Sequence, residues 1–257
     1  MQTHSKIAVA GATGRVGRHV VEVLEEAGHD VVRMSRSSGV NVVTGEGLSE
    51  ALRGVDSLVD AASWPTPDQE AATEFFIASS RNLQEMGERA GVQRIVVVSI
   101  IGADRFTTGY IASKVAHERA MQFGPIPVRI LRAAQFHEFV PPFVEWGRQG
   151  DVCYVPQMRT QLVAARTVAE ALADLANGST PAPESSAATI PEIAGPRDES
   201  LVDVARLLAA RRGDSVRIEG VSDPADPEHA LWASGALLPG PDAVLAGPTF
   251  EQWLDSA

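Results

Sequence analysis

A tyrosine and a lysine stand one helical turn apart in the segment YIASK, as Tyr110 and Lys114. The chain has 22 basic residues (Lys+Arg), but its only lysines are Lys6 and Lys114. Side chains at positions i and i+4 lie on one face of a helix. An ammonium beside a phenol favours the phenolate and lowers a pKa that is about 10 in a free tyrosine. The pair therefore predicts a catalytic tyrosine that exchanges a proton, with Lys114 adjusting its pKa.

Ser99 is the candidate that would complete this catalytic group. It follows the apolar residues of RIVVVSI (Arg94–Ile100), a pattern that predicts a buried strand. Ligands of parallel sheets bind outside the carboxyl ends of the strands, so Ser99 can orient a carbonyl or hydroxyl of a substrate there. Thr107, Thr108 and Ser113 are alternative hydroxyls from the same part of the chain.

A glycine-rich turn near the N-terminus predicts a dinucleotide site. GATGRVG lies between the strand-like KIAVAG and a helix expected from about Arg15 to Ala27. Its glycines permit a tight turn, the approach of a pyrophosphate to the backbone, and close packing of helix on sheet. The phosphates would lie on the amide groups of the helix N-terminus. The residues expected to border the cofactor, from this turn and from the end of a later strand, are Gly11, Thr13, Gly14, Arg15, Val16, Gly17, Ala61, Ala62 and Ser63.

The end of the second expected strand indicates which dinucleotide binds. An NAD site usually has an acidic side chain there for the ribose 2′-hydroxyl, whereas no Asp or Glu lies between Asp30 and Glu46. Ser35 and Arg36 occupy that place, and a guanidinium can pair with a 2′-phosphate. We therefore expect NADP(H), with NAD(H) less favoured; a solvated loop arginine is the alternative for Arg36. Lys114 would also hold the hydroxyls of the nicotinamide ribose.

The alternation of apolar and amphipathic segments predicts an α/β fold: a Rossmann-like doubly wound parallel sheet with a small C-terminal substrate-binding region. Among its elements we expect a short third strand at Asn41–Gly45 and a long helix at Asp68–Ala90. GSTPAPESS, residues 178–186, has the composition of a surface loop.

The same pattern divides the chain into two parts. A dinucleotide-binding domain is expected at 1–132, with 157–195 returning to it. A small substrate or cap region is expected at 133–156 and 196–257.

Composition narrows the class of protein further. The net charge of −11 argues against a nucleic-acid partner, which requires a concentrated basic surface. Cys153 is the single cysteine and the six histidines are scattered, so we expect no metal site. No apolar run has membrane-spanning length and no signal peptide is apparent, so we expect a cytoplasmic protein without a membrane partner. A small-molecule substrate remains as the partner, and the chain could be a monomer or a homodimer.

Aromatic residues mark the expected substrate side. They make up 5% of the chain, yet several fall in FHEFVPPFVEW. Phe136, His137 and Phe139, with Trp64 after the fourth expected strand, are candidates for an apolar pocket or lid. The alternative is that these rings pack in the core of the cap. His137 could be a second acid or base, although a lone histidine in such a segment is more often structural.

Four segments, GATGRVG, VVVSIIGAD, YIASKVAHERAM and VRILRAAQFHEF, resemble the short-chain dehydrogenase/reductase superfamily and, more narrowly, its atypical NmrA-like NAD(P)H-binding branch. The resemblance implies a Rossmann-like fold, NADP(H) as the usual cofactor and a small C-terminal substrate domain. It also implies that Ala133–Phe139 borders the nicotinamide and the substrate. Many NmrA-like proteins lack the catalytic tyrosine and act as redox sensors, whereas this chain has Tyr110 and Lys114.

Together these features predict an NADPH-dependent oxidoreductase. A hydride would pass between the nicotinamide and a small, hydrophobic carbonyl, alcohol or quinone, while Tyr110 exchanges the proton. Two alternatives stay open: a non-catalytic NADP(H)-sensing regulatory protein, and a sugar-type epimerase or dehydratase. Tyr110 and Lys114 favour an enzyme, because a sensor has no physical need of an activated phenol.

Overall fold

The structure is a computed structural model that describes residues 4–178, 190–223, 226 and 228–256. Apart from Gly178, the loop expected at 178–186 lies outside these residues. The strands in the described part are β1 (Lys6–Ala10), β2 (Asp30–Met34), β3 (Ser57–Asp60), β4 (Arg94–Ile100), β5 (Val128–Ala133), β6 (Arg148–Gln149), β7 (Val152–Pro156), β8 (Arg159–Thr160), β9 (Glu192–Ala194), β10 (Glu199–Ser200), β11 (Arg217–Val221) and β12 (Val244–Leu245).

The helices of the described residues begin after the glycine turn and end near the C-terminus. They are α1 (Gly17–Glu26), α2 (Leu48–Ala51), α3 (Gln69–Ala90), α4 (Gly109–Gln122), α5 (Val140–Trp146), α6 (Ala165–Asn177), α7 (Leu201–Arg211), α8 (His229–Ser234) and α9 (Phe250–Ser256). None of these helices has the length and apolar character that crossing a membrane requires.

A seven-stranded sheet has the order β12-β9-β5-β4-β3-β1-β2. Strand β1 lies parallel between β2 and β3, β4 continues the parallel pairing beyond β3, and β9 lies parallel between β5 and β12. All four residues of β3 are buried, as are four of the five in β1. Central parallel strands have this burial because helices cover both faces of the sheet. The predicted Rossmann-like α/β fold is confirmed.

The third strand expected at Asn41–Gly45 is wrong, because this segment forms a turn. The Asn41 side-chain oxygen accepts the Val43 amide at 3.0 Å, and the Gly45 amide donates to the Asn41 carbonyl at 2.9 Å. The Asn82 side chain in α3 donates to the carbonyls of Val42 and Val43. These bonds, two within the turn and two from α3, satisfy backbone groups that a strand would need for its ladder. The consequence is that β2 ends the sheet.

The chain divides into two compact units. The first comprises residues 1–99, 107–131 and 168–191, and the second comprises 100–106, 132–167 and 192–257. The main difference from the expected division is that 157–167 falls in the second unit.

In the first unit, helices α3 and α4 pack side by side through polar as well as apolar contacts. The buried Gln84 side chain of α3 donates to the Met121 carbonyl at 2.7 Å and accepts the Ile126 amide at 2.9 Å. Closer to the start of both helices, Gln69 accepts the Gly109 amide at 2.9 Å and donates to the Thr107 carbonyl at 3.3 Å. Gln69 therefore fixes the first turn of α4, which carries Tyr110.

The second unit contains two small sheets, β11-β7-β6 and β10-β8, and also the parallel strands β9 and β12. Pro141 and Pro142 lie in the first turn of α5, where a missing amide hydrogen costs no helical bond. They therefore lie where proline is favoured, at the start of a helix.

Candidate active site

The glycine turn closes β1 onto α1. The Gly11 and Ala12 amides both donate to the Met34 carbonyl, at 3.0 and 3.2 Å, and the Gly14 amide donates to the Gly11 carbonyl at 2.8 Å. Gly11 has a φ of +73°, and a Cβ there would lie 2.6 Å from the Ala61 carbonyl oxygen. A Cβ on Gly17 would overlap the Gly11 carbonyl oxygen. Both positions therefore require glycine for this turn.

Helix α1 leaves its N-terminus open to an anion. Val16 precedes it without a side-chain cap, and its first turn has no acidic residue. Thr13 and Arg15 are exposed on the turn, whereas the Val16 side chain is buried. The first amides of a helix carry a partial positive charge. This arrangement suits a phosphate group held by backbone amides.

Ser35 and Arg36 follow β2 in a single turn of 3₁₀ helix, residues Arg36–Ser38. The Ser35 hydroxyl accepts the Ser38 amide at 3.2 Å and lies 2.8 Å from the Ser37 hydroxyl oxygen. Arg36 is exposed, and its guanidinium forms no ion pair within the described part of the chain. By contrast, Arg33 is paired with Glu25 at 2.7 Å. The Arg36 guanidinium is thus available to an anion.

The segment after β3 meets both the glycine turn and Tyr110. The Ala61 amide donates to the Ala10 carbonyl at 3.0 Å, and the Ala62 amide donates to an Asp60 carboxylate oxygen at 2.9 Å. The Ser63 hydroxyl lies 2.7 Å from the Tyr110 hydroxyl. Ser63 was expected to border a cofactor, and the structure adds a contact with the candidate catalytic tyrosine.

Tyr110 is half-buried at the start of α4, its ring centroid 5.9 Å from that of Phe76. Burial raises the pKa of Tyr110 because the phenolate loses water; the Ser63 hydrogen bond lowers it, and the Asp60 charge raises it. The expected lowering of this pKa by Lys114 is therefore wrong. At neutral pH the phenol keeps its proton and can donate it.

The Lys114 side chain takes a different partner from the one expected. Its ammonium lies 2.8 Å from Nδ1 of His117 and 4.5 Å from the centroid of the Phe76 ring. Only 4% of the residue is exposed. Burial lowers the pKa of Lys114 to about 8, while the charges of Asp60 and Glu118 raise it. The same face of α4 does carry both residues, but the ammonium bonds the imidazole.

Ser99 is buried near the end of β4, and its hydroxyl has no hydrogen-bond partner in the described part of the chain. A buried hydroxyl without a partner is uncommon in proteins. Its expected role in orienting a substrate stays a prediction. Among the alternatives, the Ser113 hydroxyl donates to the Tyr110 carbonyl at 2.6 Å, so its proton is already used within α4.

A family model described as NAD(P)H-binding matches residues 11–177, well over half of the chain. The chain belongs to this NAD(P)H-binding family. The match begins at Gly11 and covers the glycine turn, Ser35 and Arg36, and the helix that carries Tyr110 and Lys114. The match does not single out the NmrA-like branch, which stays a prediction.

Two curated relatives share part of this NAD(P)H-binding chain. The L-arabinose 1-dehydrogenase (NAD(P)(+)) of Haloferax volcanii is 34% identical over 104 residues, 37% of this chain and 41% of that protein. The photosystem II assembly factor Ycf39 of Synechocystis sp. is 28% identical over 115 residues, 39% of this chain and 35% of that protein. The matches thus span about two fifths or less of either relative.

Solved structures share the fold over nearly the whole chain. The triphenylmethane reductase of Citrobacter sp., complexed with NADP(H), has a TM-score of 0.69 at 18% identity. The match covers 98% of this chain and 100% of that one. The enzyme WbmG of Bordetella bronchiseptica, in complex with NAD, has a TM-score of 0.66 at 18% identity, covering 96% of this chain and 86% of that one. At these identities the likeness shows the fold alone.

The first unit fits an NAD(P)H cofactor by its own geometry. The glycine turn excludes side chains where backbone must be approached closely, and α1 presents an uncapped N-terminus free of acidic residues. Arg36 offers a guanidinium, with no carboxylate in the segment between Asp30 and Glu46. The cofactor-binding residues expected from the sequence stay a prediction, and the geometry supports it best at Gly11, Gly17 and Arg36.

The expected substrate residues have different environments. Trp64 is 50% exposed, and in the second unit the half-buried rings of Phe136 and Phe139 stack with centroids 5.8 Å apart. His137 is fully buried; its Nε2 lies 3.1 Å from the Pro248 carbonyl oxygen. Burial lowers the pKa of His137 to about 4, while the Pro248 bond raises it. The expected substrate contact of His137 is thus wrong for this structure, because no surface of the ring is accessible.

Three site residues had no role in the sequence interpretation: Asp60, Phe76 and His117. Asp60 is 1% exposed, and the other two are fully buried. His117 stands three residues after Lys114, a spacing that places both on one helix face and could have indicated their contact. Asp60 and Phe76 reach the site from β3 and α3, and no local pattern predicts such long-range contacts.

Two cavities, one in each unit, bear on where a ligand could bind. A polar cavity of about 220 Å³ in the first unit lies at the amino ends of the strands, with Ser57 and Arg94 in its lining. Parallel sheets bind ligands at the opposite, carboxyl ends, so this cavity is not part of the candidate site. A cavity of about 270 Å³ in the second unit is lined mainly by apolar side chains, among them Phe143, Met158 and Trp232.

Proposed function

We propose that this NAD(P)H-binding protein is an NADPH-dependent reductase, in which Tyr110 is the general acid. The observation that supports the proposal best is the environment of the Tyr110 phenol. It lies half-buried against Phe76, bonded to Ser63, with a pKa raised above its ordinary value. A phenol that stays protonated at neutral pH can donate its proton to an oxygen that gains negative charge.

The bound cofactor would supply a hydride from the nicotinamide. The chain would supply the proton and the placement of the groups. Ser63 orients the Tyr110 hydroxyl. The Ser99 hydroxyl is enclosed, so a hydrogen bond from it to a substrate oxygen would require the residues around it to shift. The Lys114 ammonium is suited to the ribose hydroxyls, because an ammonium has three donors and one of them is directed to His117.

The second candidate is an NADP(H)-binding regulatory protein without turnover. It is favoured by the direction of the Lys114 ammonium, which bonds His117 and leaves the phenol of Tyr110 without the predicted stabilisation of its anion. An NADPH-consumption screen against carbonyl compounds and quinones tests the two functions. Turnover of one class of substrate supports the reductase; NADPH binding without any turnover across the panel favours the regulatory protein.

The substrate proposed is a small hydrophobic carbonyl compound or quinone. The second unit supports this class through its mainly apolar cavity and its half-buried row of aromatic rings. Apolar linings of this kind bind apolar ligands with a few polar groups for orientation. The panel should therefore include matched polar and apolar carbonyls, and the proposal expects higher kcat/KM for the apolar members.

Replacing Arg36 by alanine should weaken NADPH binding about tenfold to a hundredfold and leave NADH binding within about twofold of the original. The reason is that a guanidinium can pair with the 2′-phosphate, which NADH lacks. Both dissociation constants can be measured by cofactor fluorescence. Arg53→Ala is the charge-matched control, since Arg53 is exposed and paired with Glu50. Equal losses for NADPH and NADH would contradict the role of Arg36.

Raising the pH through about 8 should weaken NADPH binding, because the Lys114 ammonium is lost above its lowered pKa of about 8. The free energy of unfolding of the protein without cofactor should instead increase as the pH rises from about 8 to about 10.5. In this pH range the unfolded lysine still binds a proton that the folded one has released. Fluorescence titrations from pH 7 to 10 measure the affinity. Lys114→Met should bind weakly over the whole range, and a pH slope that persists in this variant would exclude Lys114 as its source.

A further inference from the structure

Lys114, His117 and Asp60 form a buried hydrogen-bonded network beside α4. The Lys114 ammonium lies 2.8 Å from Nδ1 of His117, and Nε2 of His117 lies 3.0 Å from Oδ2 of Asp60. The other Asp60 oxygen accepts the Ala62 amide at 2.9 Å. His117 is fully buried, and Asp60 and Lys114 are 1% and 4% exposed. Each hydrogen bond in this network therefore replaces one with water that the buried groups have lost.

The donor and acceptor types leave one arrangement of protons. A carboxylate only accepts, so Nε2 of His117 must carry a hydrogen and donate it to Asp60. An ammonium only donates, so Nδ1 must be a lone pair that accepts from Lys114. Burial and the Lys114 charge lower the pKa of His117, although its hydrogen bond to Asp60 raises it. The imidazole is therefore neutral with its proton on Nε2.

The residues around this network hold the His117 imidazole in place. The Phe76 ring stacks on His117 with centroids 4.5 Å apart and planes 21° apart, and the same ring lies under the Lys114 ammonium. The charged or titratable groups that face Lys114 and His117 are Asp60 from β3, and Tyr110 and Glu118 from α4. The Glu118 charge raises the pKa of both Lys114 and His117.

We propose that Asp60 and His117 are positioning residues for Lys114: Asp60 fixes the tautomer of His117, and Nδ1 of His117 holds the Lys114 ammonium in one place. The inference rests on the proposed function in so far as Lys114 acts on cofactor and substrate. Neither Asp60 nor His117 needs to touch a reacting atom. Their effect is that a flexible lysine side chain presents its two remaining donors in a defined direction.

The small number of lysines makes the proposal measurable without turnover. Labelling lysine at the ε-carbon gives two NMR signals, from Lys114 and from the partly exposed Lys6 side chain, which is the internal reference. In the cofactor-free protein, His117→Gln should lower the pKa of Lys114 by about one unit, since the ammonium loses its acceptor. His117→Asn should largely restore it, because the Asn oxygen can take the place of Nδ1.

The tautomer itself is the second readout. Nitrogen-15 shifts of the imidazole should show the proton of His117 on Nε2 in the unaltered chain, with the signal identified by its loss in His117→Gln. Asp60→Asn should reverse the tautomer of His117. The new amide oxygen must accept the hydrogen of the Ala62 amide, so the NH₂ group faces Nε2 of His117 and the imidazole proton moves to Nδ1. The proton then points at the ammonium, and the pKa of Lys114 should fall.

These results separate the proposal from the proposed function. A proton on Nδ1 in the unaltered chain would overturn the proposal, as would equal Lys114 titrations in His117→Gln and His117→Asn. If the NMR results are as expected and no substrate is turned over, the positioning of Lys114 stands and the reductase does not. Where turnover is found, His117→Gln should raise the KM for NADPH about tenfold and move the fall in kcat/KM to lower pH, while His117→Asn should move both less.

Discussion

Replacing Tyr110 by phenylalanine should lower kcat at least a hundredfold and change the dissociation constant of NADPH less than about threefold. The reason is that the substitution removes only the hydroxyl, whose proton is required by the substrate oxygen; general acid catalysis contributes about 10² to 10⁴ in rate. The ring would still pack against Phe76. Single-turnover oxidation of NADPH, with binding measured in parallel by fluorescence, tests this prediction.

The chain offers a matched control, because its other tyrosine lies elsewhere in the fold. Tyr154 is in β7, within the second unit, and Tyr154→Phe removes the same group. It should leave kcat within about twofold of the original value. If Tyr110→Phe turned over substrate as fast as Tyr154→Phe, the proposed acid would be wrong, although the turnover itself would still exclude the regulatory candidate.

Replacing Gly17 by alanine should both destabilise the protein and abolish measurable NADPH binding. The added Cβ would overlap the Gly11 carbonyl oxygen, which is backbone and cannot rotate away. The turn must then shift, at a cost of about 2–3 kcal/mol for an overpacked site. This lowers the melting temperature by roughly 4–12 °C for a chain of this size. Thermal unfolding and cofactor fluorescence measure the two effects.

Gly14→Ala distinguishes lost binding from lost folding. A Cβ at this position would lie 3.1 Å from the Gly11 carbonyl oxygen, a close approach that a small adjustment can relieve. We expect a melting temperature near the original and NADPH binding weakened about tenfold or more, because the methyl group intrudes on the face offered to the pyrophosphate. Full NADPH affinity in both variants would show that this turn is not the cofactor site.

The sequence was sufficient for features that depend on local pattern. The glycine turn, the long helix and the face shared by Tyr110 and Lys114 follow from spacing along one or two elements. The strand expected at Asn41–Gly45 failed because two apolar valines fitted a strand, while the Asn41 side chain bonded its own backbone and favoured a turn. A short apolar run cannot show which of these local bonds prevails.

The environment of the Lys114 ammonium could not be predicted in the same way. Its partner His117 is near in sequence, but the imidazole becomes a suitable acceptor only because Asp60, 57 positions earlier, takes its other hydrogen. Burial of this depth also depends on Phe76 from a third element. A pair of residues on one helix predicted the right face, and only the packed fold determines which atoms on that face meet.

Strand β2 is an edge strand because the segment after it turns and forms no further strand. One side of its backbone is therefore open to pairing with another chain, which is a known route to aggregation. Asp30 and Arg33 are exposed along this strand, and charged side chains on an edge oppose such pairing. The edge that bears the proposed 2′-phosphate site is thus protected from sheet extension, and a copy of this chain that assembles with it should use another surface.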